Sequence, residues 1–88
     1  MVSLHDNIAS GRLEMEEGGE TVFARYRRQP GRLIIDHVEA PPTLRGTGAA
    51  GRFMQALVDQ ARAAGEEIVP LCGYAAAWLR RHDARRAR

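Results

Sequence analysis

Pro41-Pro42-Thr43-Leu44-Arg45-Gly46-Thr47-Gly48-Ala49-Ala50 divides the chain into two periodicities. The residues before it read as strands and those after it as a helix. Neither proline has an N–H to donate, so a sheet ladder stops at residues 41–42. Two glycines and small neighbours then open the helix. Such a junction leaves several backbone N–H groups bare at the positive end of a helix dipole, an arrangement that holds phosphate. Glycine spacing by itself fits a plain turn before a helix as well.

Upstream, Arg12-Leu13-Glu14-Met15-Glu16 alternates polar and apolar, as a half-buried strand does. Glu17-Gly18-Gly19-Glu20 is a turn, with both glycines free to take positive φ. Thr21 to Arg27 is rich in β-formers and reads as a second strand. Gln29-Pro30-Gly31 turns the chain again, and Arg32 to Glu39 is the third strand. Two successive hairpins predict an antiparallel three-strand meander, with residues 1–9 as a short lead-in.

Downstream the period becomes helical from about Gly48 to Ala64. Phe53, Leu57 and Ala61 recur four residues apart, with Met54 and Val58 beside them. Gly65 is placed to cap the helix. Ile68-Val69-Pro70-Leu71 reads as a short strand and Tyr74 to Arg81 as an Ala-rich second helix, with Trp78 and Leu79 in the core. A helical crossover makes the strands on either side of it parallel neighbours. The expected fold class is α+β: a mixed sheet with an antiparallel three-strand meander, then helix, parallel strand and C-terminal helix. Residues 1–88 are expected to form a single domain.

Composition narrows the function classes. The chain is 44% apolar with a net charge of +2. Five arginines oppose seven acids in residues 1–44, whereas eight oppose four in residues 45–88, and there is no lysine. One cysteine, Cys72, and three scattered histidines, His5, His37 and His82, give neither a disulfide nor metal-ligand spacing, so no metal is expected. No apolar run approaches membrane-spanning length, and Met1 to Asp6 lacks the basic start and apolar middle of a signal peptide. The expectation is a cytoplasmic protein with no membrane partner.

The glycine loop is not a P-loop, because no Gly-Lys-Ser/Thr follows, and it lacks the Gly-x-Gly-x-x-Gly of dinucleotide folds. Its context favours pyrophosphate. Arg45 puts a cation beside the bare amides, Gly46 and Gly48 permit close approach to the backbone, and Ala49 and Ala50 leave the first helical turn unobstructed.

Arg45-x-x-Gly48-x-Ala50 resembles the acyl-CoA loop of the GNAT superfamily of N-acetyltransferases, Gln/Arg-x-x-Gly-x-Gly/Ala. The resemblance is closer to a small single-domain GNAT-like subgroup. There a strand ending in His is followed by Pro-Pro-x-Leu-Arg-Gly-x-Gly, a helix, and a short strand ending Pro-x-Cys. Here these are His37, Pro41 to Gly48, and Pro70-Leu71-Cys72, and the similarity runs from about residue 7 to residue 82. Gly73 stands where the subgroup often has Pro, and His82-Asp83-Ala84-Arg85 replaces His-Pro-Glu-Tyr. Both departures touch the ends of the second helix, not the loop.

The resemblance implies acetyl-CoA (or CoA) as co-substrate, with pantetheine in a wedge between two splayed strands. It implies main-chain contacts to pantetheine from Val38, Glu39 and Ala40. Pyrophosphate contacts would come from the amides of Gly46, Thr47, Gly48, Ala49 and Ala50, with Arg45 and, more weakly, Arg52 on phosphate oxygens. GNAT enzymes generally transfer the acetyl group directly, with a base on the amine and a backbone N–H on the thioester carbonyl. His37 and Glu39, on one face of the third strand, are the base candidates. The alternatives are a structural histidine and an exposed strand-end charge. Cys72 is either a small buried hydrophobe or a thiol beside the thioester, as transient acyl acceptor or polarising neighbour. Tyr74 is either packing or the acid for the leaving thiolate.

Relative to typical GNAT enzymes the chain lacks the N-terminal helices and final strands that build an acceptor pocket. The substrate side is therefore expected to be open, or completed by another subunit or a partner protein. The first expectation is an acetyl-CoA-dependent N-acetyltransferase acting on an amine or protein acceptor of unknown identity. The alternative is a non-catalytic CoA or acyl-CoA-binding module, or a partner-docking domain. A homodimer fits the small core. Nucleic-acid binding through Arg80, Arg81, Arg85, Arg86 and Arg88 is disfavoured, since no aromatic residues interleave with those charges.

Overall fold

A computed structural model describes residues 4–86. The strands are β1 (Leu4–Asn7), β2 (Arg12–Glu17), β3 (Glu20–Gln29), β4 (Arg32–Glu39) and β5 (Glu67–Pro70), and the helices α1 (Ala49–Ala63) and α2 (Gly73–Arg86). Short 3-10 turns occupy Ile8–Ser10 and Pro42–Leu44. The strands form one sheet in chain order, antiparallel from β1 to β4 and parallel between β4 and β5. This is the α+β arrangement expected from the sequence: meander, helix, parallel strand, helix.

One strand is additional. Leu4–Asn7, read above as lead-in, pairs with β2 from Leu4↔Met15 to Asn7↔Arg12. Its Asp and Asn are poor strand formers, so the strand comes from partners distant in sequence. Tyr26 Oη donates to Asp6 Oδ1 at 2.5 Å and Arg28 Nη1 to Asp6 Oδ2 at 2.8 Å. Arg28 Nε reaches Glu66 Oε2 at 2.8 Å, tying the meander to the chain beyond α1.

The β2–β3 hairpin turns through Gly18 and Gly19, both at positive φ (59° and 78°), as a two-residue primed turn requires. Along β3–β4 the register shifts between Tyr26↔Ile35 and Arg25↔His37, leaving Asp36 as the extra residue of a β-bulge.

Both helices lie on the same face of the sheet. Leu13, Met15, Val22, Ala24, Leu33 and Ile35 from the strands meet Phe53, Met54, Leu57, Val58 and Ala61 of α1 and Ala75, Trp78 and Leu79 of α2 in one cluster. The apolar stripe predicted on α1 is thus the buried one. A Cβ added to Gly51 would stand 3.7 Å from Trp78 Nε1, which shows how closely the helices approach. The opposite sheet face carries ion pairs, among them Arg12–Glu14 at 3.0 Å and Arg27–Asp36 at 2.7 Å.

Helix α1 closes with a Schellman arrangement. Glu66 N donates to Ala61 O at 2.8 Å and Gly65 N to Arg62 O at 3.0 Å, with Gly65 at φ 72°. The parallel pairing then starts at Arg32↔Glu67 and ends at Ile35↔Pro70, while β4 runs on to Glu39. Leu71 N and Cys72 N share Ile35 O, at 2.9 and 3.3 Å, as the last rung. Beyond it the two chains part. Among the described residues no helix is long and apolar enough to cross a membrane.

Candidate functional site

The edge of β4 that β5 covers as far as Ile35 is uncovered from Asp36 to Glu39. Beside it lies a groove of about 330 Å³ lined by His37, Val38, Glu39, Ala40, Arg45, Ala50 and Tyr74. All seven are candidates named from the sequence. Four come from β4 and its continuation, two from the glycine loop and the first turn of α1, and one from α2. The volume is at the small end of ligand pockets.

The loop is built stepwise. Leu44 N donates to Pro41 O at 2.9 Å and Arg45 N to Pro42 O at 3.2 Å, forming the 3-10 turn. Gly46 (φ 80°) and Gly48 (φ 85°) then take the left-handed conformation that side chains disfavour. Thr47 N donates to Leu44 O at 3.2 Å, and Ala49 N donates to Thr47 Oγ1 at 3.3 Å. Those two amides, expected to face a ligand, are therefore engaged within the loop. The amides of Gly46, Gly48, Ala50 and Gly51 have no acceptor among the described residues. Gly51 was not among the candidates. Its signal was its place in the first turn of a helix, where N–H groups are unpaired by geometry.

Two arginines flank the loop. Arg45 is exposed and its Nε donates to Ala40 O at 3.2 Å, so one of the carbonyls expected to meet pantetheine already has a donor. Arg52, in the first turns of α1, sends Nη1 to Thr47 O at 3.2 Å. Its Nε meets Glu17 Oε1 at 3.0 Å, and Nη2 pairs with Glu17 Oε2. Glu17, at the end of β2, was not anticipated, because the contact joins residues 35 apart in sequence.

At the other end of the groove, His37 Nε2 lies 3.1 Å from Glu39 Oε1, with both side chains about half exposed. The expected shared face is present. Tyr74 is 40% exposed. Burial raises its hydroxyl pKa above the ordinary 10.0, helped by the neighbouring Cys72 and opposed by Arg81. Cys72 does not line the groove. It is half-buried against the core cluster, immediately before α2, whose Ala76 N bonds to Cys72 O at 2.9 Å. Leu71, 61% exposed, forms an apolar rim beside it. Trp78 is buried and stacked on His82, ring centroids 3.6 Å apart. Arg80 and Arg81 are exposed, whereas the side chains of Arg85, Arg86 and Arg88 lie outside the described residues.

A groove of this kind can accept an extended amide chain against the free strand edge, a phosphate on the loop amides, and a reacting group near Tyr74. In comparison with known proteins, the family model described as GCN5-related N-acetyl-transferase matches residues 12–87. Among curated proteins none matches the chain.

Proposed function

The chain belongs to the GCN5-related N-acetyltransferase family, and on that basis we propose that it transfers an acetyl group from acetyl-CoA to an amine. One observation carries the reading: a single groove joins a strand edge to a loop and helix start, and among the described residues that edge has no partner strand and four of those amides have no acceptor. Pantetheine adds to the edge at Val38, Glu39 and Ala40 as an extra strand would. The pyrophosphate lies on the N–H groups of Gly46, Gly48, Ala50 and Gly51 at the positive end of α1. Arg45 neutralises it from the side. Thr47 and Ala49 contribute by holding the loop in shape rather than by donating.

In the transfer step the amine nitrogen attacks the thioester carbonyl carbon. The C–S bond breaks, CoA leaves as a thiolate, and the amine proton passes to the His37–Glu39 pair. The raised pKa of Tyr74 keeps its phenol protonated at neutral pH. An ordinary thiol ionises near pH 8.5, about 1.5 units below an ordinary phenol. Tyr74 therefore acts as a hydrogen-bond donor that stabilises the thiolate, not as a proton source. Cys72, half-buried against the core and outside the groove lining, packs beside the site rather than on the thioester.

Calorimetry with CoA tests the groove. No heat and no thermal shift at millimolar CoA would remove the reading. Thiol release from acetyl-CoA, followed with simple amines and lysine peptides, then separates turnover from binding. Cys72→Ala is expected to turn over nearly as the wild type does, and mass spectrometry of the wild type after incubation with acetyl-CoA to show an unmodified thiol. An acetylated Cys72 would replace direct transfer by a two-step route.

A further inference from the structure

The environment of Arg52 is unusual for a cation. It sits in the first turns of α1, where the helix dipole presents partial positive charge and a cation is disfavoured. No acidic residue lies in that first turn. The compensating charge arrives from another element: Glu17, brought across at the tip of the β2–β3 hairpin. The pairing is a fork on a fork, with Nε and Nη2 on the two carboxylate oxygens, which fixes the plane of the guanidinium. The end left over, Nη1, is thereby held on Thr47 O. It lies 3.0 Å from where a Cβ of Gly48 would be, so it stands directly over the loop.

We infer that Glu17 is a positioning residue for the pyrophosphate of CoA, acting through Arg52. Resting on the reading given above, the inference assigns the hairpin tip a part in ligand binding. The Glu17 carboxylate holds Arg52 against the carbonyl of Thr47, which keeps the N–H of Gly48, in the same peptide plane, presented to the ligand. The remaining Nη protons of Arg52 are then available to a phosphate oxygen. The ion pair persists in the bound state and is not exchanged for the phosphate.

The test titrates CoA, and separately S-acetylpantetheine, which lacks the pyrophosphate, into wild type, Glu17→Asp, Glu17→Gln, Arg52→Gln and the Glu17→Gln/Arg52→Gln double variant. Glu17→Gln is expected to weaken CoA about fivefold, as loss of a bidentate charge pair beside a ligand does. Glu17→Asp, which keeps the charge, should recover most of that loss. S-acetylpantetheine should bind all variants alike. The Glu17→Gln change should cost nothing further in the Arg52→Gln background. A general loss of structure would weaken both ligands together and would overturn the assignment. CoA affinity unchanged or tighter in Glu17→Gln would also overturn it, while leaving the acetyl-CoA reading standing. Failure of the wild type to bind CoA would overturn both.

Discussion

The two ends of α1 are built on opposite principles. The helix is 15 residues long, so its termini stand about 22 Å apart. At its C-terminal end the capping groups are engaged within the fold. Gly65 completes the Schellman bonds, and Glu66 anchors Arg28, which also holds Asp6 beside Tyr26. At its N-terminal end two left-handed glycines precede four amides without acceptors among the described residues. Exposed polar groups near water cost little, but concentrating them at one helix terminus selects for an anion. The same helix thus carries a structural terminus and, on the function proposed above, a binding terminus.

Predictions follow from trying to break the two ends separately. The largest effect should not separate them. Phe53, fully buried between the sheet and α2, underpins the whole helix, and Phe53→Ala is expected to cost about 3–5 kcal/mol. Denaturant melts would show it, and CoA binding should weaken with the fold. Gly48→Val should break only the binding end. It places a β-branched side chain at φ 85° and into Arg52 Nη1. CoA affinity should fall by at least about 100-fold while circular dichroism shows a folded domain of lower Tm. Wild-type affinity in that variant would remove the pyrophosphate from this loop.

Tyr26→Phe should break only the structural end. Loss of the hydroxyl that donates to Asp6 is expected to cost about 1 kcal/mol, with CoA affinity unchanged. The smallest effect is the pH dependence of that same cluster. Burial pushes the Asp6 carboxyl up, but its bonds from Tyr26 and Arg28 outweigh this and hold it below the ordinary 3.8. A lowered folded pKa contributes stability that is present above the unfolded value and lost as pH falls through the folded one. The Tm should therefore drop below about pH 4, less steeply in Tyr26→Phe. Tyr26 mirrors this in alkali. Burial and Asp6 raise its pKa above 10.0, so its contribution is complete below that value and lost as pH rises through the folded pKa. A drop equally steep in Tyr26→Phe would detach the acid limb from this cluster.

What the sequence disclosed was what depends on neighbours close in the chain. The buried stripe of α1, the Gly18-Gly19 turn, the stop at Pro41-Pro42 and the cap at Gly65 all follow from local spacing. The seven residues that line the groove were named from the family resemblance, not from spacing. Strand β1 was not legible, since Asp6 and Asn7 become strand residues only through β2 and the Tyr26–Arg28 pair. Nor was the use of the loop amides. Whether Thr47 N and Ala49 N face outward depends on where Leu44 O and the Thr47 hydroxyl settle, which spacing does not specify. The Glu17–Arg52 pair needs the closed sheet before it exists at all. Cys72 was read as either a small buried hydrophobe or a thiol beside the thioester; its side chain leans on the core and is absent from the groove lining, a direction that depends on packing rather than on spacing.

The extra residue in β4 has a consequence for how much change this strand tolerates. Leu33 and Ile35 are buried, and simple alternation from them would send His37 and Glu39 into the same apolar interior and Val38 out to water. Asp36 reverses the phase. Val38 packs on the core, while His37 and Glu39 meet each other in solvent. The strand is in effect two messages written in opposite reading frames, the first addressed to the fold and the second to the ligand proposed above. A one-residue deletion at Asp36 would not weaken the site by degrees; it would swap the recipients.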